Sequence, residues 1–424
     1  MTSARLGGLW QDREFLKLWS GETVSQIGAQ VGQLALPLAA VYQLDVSASE
    51  LGVLNAASYA PFLCISLFVG VWVDRRRRLP LMLWSNVGRA VLLGSVPLCA
   101  AFGLLRLDYL YLTAFLIGTL TVLFDVSYQS YLPSLIDREH LLEGNSKLQA
   151  TSSVAQIGGP ALAGLLVGWL TAPVTLLVNA GSYLVSVAGL LAIRRREPEP
   201  SPAATQTSVL RSIAEGMRMV LGNAMLRACA LESGTYNMCW LALQTVFVRY
   251  AAKTLGLDPG AIGLIFSGAA VGSLLGAVGA GRLKQRLGLG PAIIVELVLC
   301  CTAPLLIPLA PVGGTAAVAA ATLALALCGL GSTMATIHIV SLRQAITPPE
   351  LLGRVNAGCR FLAWGPLPLG GVIGGYLSDV LGPRQTLLVT AVGFLFALLW
   401  VVFSPVPRLR DFPTAPVPTP VAAQ

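Results

Sequence analysis

Charge is what this sequence has least of. Asp, Glu, Lys and Arg together make up 11% of its 424 residues, less than half of the roughly 25% found in soluble domains. With 55% hydrophobic residues, too few charges remain for a water-facing surface, which excludes a soluble globule. Histidine is nearly missing as well: only His140 and His338 occur. There is no HExxH pair and no Walker-type phosphate loop, and no soluble domain is appended, so an embedded enzyme or sensor is a minor alternative. The eight cysteines fall almost entirely within apolar runs and lack metal-ligand spacing. They read as reduced thiols, and no metal site is expected. No small-residue cleavage site follows an early apolar core, so the first span is expected to serve as its own insertion signal.

What the chain has in abundance is long apolar runs. Each needs about 20 residues to cross a bilayer, and a backbone in lipid must satisfy its own hydrogen bonds, so such runs are helices. A β-barrel would show short alternating segments instead. Breaks at charged or Pro/Gly-rich positions predict twelve spans: 15–42, 51–73, 79–104, 109–131, 146–170 and 174–193, then 225–250, 261–283, 291–310, 315–341, 355–380 and 386–403. The chain thus reads as an all-α membrane protein with twelve transmembrane helices. An N-terminal bundle (1–193) and a C-terminal bundle (225–404) flank a linker (194–224), in which a Pro/Ser/Thr stretch precedes an amphipathic surface helix. Residues 405–424, rich in Pro and Ala, are expected to be disordered.

The net charge of +8 does not point to nucleic acid, because the basic residues sit in short loops between apolar runs, as the positive-inside bias requires. The loops of one side collect Arg75, Arg76, Arg77 and Arg78, then Arg138, Arg194, Arg195, Arg196, Arg282, Arg286 and Arg354. That side is expected to be cytoplasmic, with both termini on it. The two halves also repeat. Gly70 and Gly281, Arg75 and Arg286, Glu139 and Glu350, and Asn145 and Asn356 are identical pairs, each 211 positions apart. A duplicated six-helix unit gives two pseudo-symmetric bundles, with a substrate site at their interface.

At this point the residues resemble a family. Gly70-x-x-x-Asp74-Arg75-x-x-Arg78, between the second and third of twelve spans, is similar to the signature loop of the major facilitator superfamily. Within it, FDVSYQSYLPSLI, GGPALAG and PPELLGRVNA resemble the branch of proton-driven exporters that includes macrolide-efflux and enterobactin-exporter proteins. The resemblance implies gating by Gly70, Asp74, Arg75 and Arg78, and a helix-packing motif at Gly159, Pro160 and Gly164. It also implies a central cavity lined by spans 1, 4, 7 and 10, and a proton gradient rather than a cofactor as the energy source. The chain departs from the pattern at Trp72, at Arg77, and at Gln285, where the second half has no copy of Asp74.

Ionisable groups inside spans carry an energetic cost that packing does not require. Glu22, Arg89, Asp125, Glu232 and His338 are therefore the candidate proton-coupling and cavity residues, with Asp125 or Glu22 as the proton carrier. A buried structural pair of Asp125 with Arg89 is the alternative for that acid, snorkelling to the cytoplasmic end is the alternative for Glu22, a hydrogen-bonded core residue is the alternative for His338, and Glu296 reads as an interfacial charge. Gln26, Gln30, Gln33, Tyr236, Asn237 and Gln244 are candidate polar groups for the substrate. The expectation is a monomeric proton-coupled antiporter in the plasma membrane, exporting a drug-like, secondary-metabolite or siderophore-type small molecule. A proton symporter importing a nutrient is the alternative.

Overall fold

The computed structural model describes residues 9–65, 68–69, 72–73, 76–136, 140–195, 197, 209–310, 314–348 and 351–413. Gly70, Asp74 and Arg75, three of the four expected gating residues, lie outside them. Six spans form the N-terminal bundle: α1 (Arg13–Gln43), α2 (Ala48–Cys64), α3 (Arg78–Ala101), α4 (Leu107–Leu135), α5 (Leu141–Leu170) and α6 (Ala172–Leu191). The linker helix is α7 (Val209–Gly222). The C-terminal bundle holds α8 (Ala224–Arg249), α9 (Pro259–Leu287), α10 (Leu289–Leu309) and α11 (Gly314–Ile346). Its eleventh span is broken at Gly365 and Pro366 into α12 (Leu352–Trp364) and α13 (Leu367–Leu381), and α14 (Pro383–Val402) closes the bundle.

Local chemistry fixes several of these starts. Asp12 caps α1, accepting from the Glu14 amide at 2.8 Å. Ser47 and Glu50 form a reciprocal capping box on α2, and Asp258 caps α9 ahead of Pro259. Such caps satisfy amides that a helix start leaves without partners. The duplication recurs in the backbone. Thr171 joins α5 to α6 at φ 91°, ψ 155°, and Gly382 joins α13 to α14 at φ 84°, ψ 158°. The two hinges are 211 positions apart (382 − 171 = 211).

The bundles meet along two seams that obey the same offset. In one, α2 packs on α13: a Cβ added to Gly52 would overlap the Gly371 carbonyl, and one added to Gly375 would overlap the Ala48 carbonyl. In the other, α5 packs on α9: Gly263 sits against the Pro160 carbonyl and Gly164 against the Pro259 carbonyl. Every residue of the second seam is the counterpart of one in the first, 211 positions away: 48 with 259, 52 with 263, 160 with 371, 164 with 375. Both seams lie at the end of the molecule opposite the arginine-rich loops, here called the far end. Replacing Gly164 by valine is expected to wedge this end open. Overpacking costs about 1–3 kcal/mol and a factor of ten about 1.4, so the ratio of far-end-closed to open forms should fall about fivefold or more, read as increased thiol labelling of residues lining the far end of the cavity.

Ties across the far end reinforce the seams. The Asp379 carboxylate, on α13, accepts from the amides of Ala48 (3.0 Å) and Ser49 (2.8 Å) at the start of α2. Arg249 Nε donates to the Val46 carbonyl at 3.1 Å, and Asn55 Nδ2 to Thr245 Oγ1 at 2.8 Å. Lys253 lies 2.6 Å from Asp45 and, by hydrogen bonding, holds that exposed carboxyl below its usual range. This tie is present at neutral pH and is lost as pH falls through the lowered value; exposed pairs contribute little.

One expectation needs correction. Of the expected disordered tail, residues 405–413 are held in place: the Leu289 and Gly290 amides donate to the Arg410 and Leu409 carbonyls (3.1 and 2.8 Å), and Lys284 pairs with Asp411 at 2.7 Å; residues 414–424 lie outside the described residues. Proline content misleads here because these carbonyls satisfy the open amides at the start of α10. The amphipathic α7 has a packing partner as well. It docks on α12, where Gly216 meets the Arg354 backbone and Glu215 pairs with Arg354 at 2.5 Å.

Candidate transport cavity

A cavity of about 950 Å³ lies between the bundles, roofed by the far-end seams. Of the proposed residues, Glu22, Gln26, Gln30, Gln33, Arg89, Asp125 and Pro160 line it from the N-terminal bundle, and Glu232, Tyr236, Asn237 and Gln244 from the C-terminal one. Spans 1, 4, 7 and 10 each contribute to the wall. Glycines of the helix-packing motif serve two contacts: Gly159 abuts Gln30 of α1 within its own bundle, while Gly164 belongs to the seam. Arg78, the described gating-loop residue, begins α3; its amide donates to both oxygens of Glu197 (2.7 and 2.8 Å), whose carboxylate caps that helix.

The N-terminal wall holds a buried cation. The Arg89 guanidinium sits between two rings, 4.5 Å from the Phe124 centroid and 4.2 Å from that of Tyr183. It donates to Asn86 Oδ1 and, at 3.5 Å, to Thr121 Oγ1. Asn86 is itself fixed by a 2.8 Å bond to Ser186. Aromatic faces and amide oxygens stabilise a charge that lipid would not. The expected alternative, an ion pair of Arg89 with Asp125, is not formed among the described residues. Glu22 accepts from Gln26 at 2.8 Å through Oε1, while its buried Oε2 has no partner among the described residues. Glu22 is 6% exposed and does not snorkel to the basic end.

His338 leaves the cavity set and takes its alternative role, a hydrogen-bonded core residue. Placed by the sequence among the cavity residues, it instead turns away from the wall, where α11 presents Ser332, Thr333 and Thr336. Its Nδ1 lies 3.0 and 3.1 Å from the two oxygens of Glu296 on α10. Glu296 is 1% exposed and not an interfacial charge. A carboxyl this deep requires a partner, and the imidazole supplies it. Replacing His338 by alanine is expected to cost roughly 3 kcal/mol of stability by leaving that carboxyl alone, seen as a lowered melting temperature of the purified protein. The joint replacement with Glu296→Leu should recover most of the loss.

Sequence reasoning also missed Asn86, Tyr183, Asn179, Tyr59, Trp240 and Trp364, all of which bear on the cavity. A signal existed for two: Asn86 lies one helical turn before Arg89, and Trp240 one turn after Tyr236.

Two six-helix bundles sharing a cavity lined by both polar and apolar side chains, shut at one end by a pseudo-twofold pair of seams, define a multi-pass membrane transporter rather than an enzyme. The chain belongs to the Major Facilitator Superfamily, whose family model matches residues 18–365. It is 27% identical over 390 residues to the multidrug efflux pump Tap of Mycolicibacterium fortuitum, covering 89% of this chain and 92% of that one. It is 22% identical over 405 residues to macrolide efflux protein A of Streptococcus pyogenes, covering 94% and 96%. A bacterial homologue of the iron transporter ferroportin, 20% identical, superimposes over 92% of this chain and 98% of that one; the TM-score is 0.74 for its inward-facing state and 0.57 for an outward-facing one.

Proposed function

We propose that this chain is a proton-driven exporter of small organic molecules, working as a monomer in the plasma membrane with both termini and the arginine-rich loops in the cytoplasm. Three acids from both bundles, Glu22, Asp125 and Glu232, meet in one cavity whose far end is shut; that observation carries the reading. With the arginine-rich side inward, the far end is the outer gate, and the conformation is the one that loads from the cytoplasm. The efflux activity of the related pumps supports the outward direction. Asp125 carries the proton: it lines the cavity and is held in no ion pair among the described residues, which leaves it able to exchange protons with water there. The proton gradient supplies the energy, with no cofactor.

The test is accumulation. Cells expressing the protein should retain less of an amphipathic compound than cells without it, and an uncoupler should remove the difference. Efflux that persists after the gradient collapses overturns proton coupling, and raised rather than lowered accumulation overturns export in favour of import by symport.

A further inference from the structure

The two walls of the cavity are chemically unlike. Acids of the N-terminal wall, Glu22 and Asp125, share their space with Arg89, the one cation in the lining among the described residues. The C-terminal wall has an acid and no cation. Glu232 is 4% exposed; its Oε2 accepts from the neighbouring Ser233 hydroxyl at 3.0 Å, and its Oε1 has no partner among the described residues. Carboxylates removed from water need a counter-charge, and the described residues offer Glu232 none.

What it offers instead is a pair of flat rings. Tyr236 and Trp240 follow Glu232 at successive four-residue steps along α8, which puts all three on one helical face, and all three line the cavity. The two rings are nearly parallel, 7° apart with centroids 6.5 Å from each other. Phe394 of α14, fully buried, props the Tyr236 ring edge-on at 5.0 Å, so the surface is rigid. Ring faces attract cations, and a desolvated site strengthens both the ring and the carboxylate interaction.

We propose that Glu232, Tyr236 and Trp240 form the recognition subsite for an organic cation with a planar aromatic body, the carboxylate meeting the positive centre and the rings stacking on the plane. The inference rests on the transport reading above and adds the substrate class. It also separates two tasks: proton exchange on the N-terminal wall, beside Arg89, and charge selection on the C-terminal wall.

Ethidium and its neutral, reduced form dihydroethidium share a skeleton and differ in charge, so binding of each to the purified full chain tests the subsite. Wild type should bind ethidium about tenfold more tightly than dihydroethidium, the factor that 1.4 kcal/mol of charge recognition gives. Glu232→Gln should erase that preference while dihydroethidium binding persists, which also shows that the variant is folded. Trp240→Leu should weaken both probes several-fold, and Trp240→Phe should restore them. Absence of a charge preference in wild type, or an unchanged preference in Glu232→Gln, overturns the proposal. If Glu232→Gln binds neither probe, Glu232→Asp decides: a retained preference for ethidium supports the subsite, and its absence overturns it. Gradient-driven efflux without charge preference would sink this inference alone; cation binding at Glu232 without any such flux would sink the transport reading alone.

Discussion

Replacing Asp379 by alanine is expected to open the far end of the molecule. The carboxylate joins the bundles by accepting two amides at the start of α2, at 3.0 and 2.8 Å, where the helix dipole also favours a negative charge. Hydrogen bonds to charged groups contribute about 1.5–3 kcal/mol each. Even after solvent takes over part of the lost bonding, the remaining 1.4 kcal/mol or more shifts the ratio of closed to open forms by roughly tenfold. The rest of the seam does not compensate, because this clamp has no pseudo-symmetric twin. The position 211 residues before Asp379 is Gly168, and α9 is capped by Asp258 from its own bundle. Spin labels at Leu104 and Leu309, both exposed and on different bundles, in a variant with the eight cysteines replaced, would report the change by pulsed distance measurement. A lengthened main distance is the expected result, Asp379→Asn should fall between, and an unaltered distribution in the alanine variant would refute the clamp.

The second large effect is expected at Asp125. Asparagine keeps the size and polarity of the side chain but cannot release a proton, so gradient-driven efflux should drop by at least about tenfold, in line with the 10²–10⁴-fold that a positioned proton-transfer group typically contributes. Substrate exchange across vesicles with no gradient should continue, because it needs the cavity and the rocking motion but no net proton movement. Loss of both activities would assign Asp125 to folding or to substrate binding. Retention of both would move the coupling role to Glu22, whose Oε2 is buried without a partner among the described residues.

Much of this architecture was legible in the residues because bilayer physics writes itself along the chain. Apolar runs and arginine-rich turns give the spans, and the 211-residue offset gives the two bundles. The same offset also contained both seams: Gly52 with Gly263, and Pro160 with Gly371. They escaped notice because glycines scattered through apolar runs carry no mark until a facing carbonyl is seen. Pairing across helices was equally hidden. Glu296 and His338 are 42 positions apart, and no local period predicts that one will bury the other. Asp379 carries no mark in the sequence, since its partners are backbone amides, which every residue has. The cavity acids were found because a charge inside a span is conspicuous on its own; which of them faced a cation, and which did not, required the third dimension.

The linker is pinned at both ends, Glu197 to the first turn of α3 and α7 to α12. Between Glu197 and Val209 run twelve peptide links (209 − 197 = 12), which at 3.3–3.6 Å per residue reach about 40 Å when taut. That reach sets an outer limit on how far the two pinned ends can move apart, and so keeps one half from wandering off the other while the passage between them is unsealed.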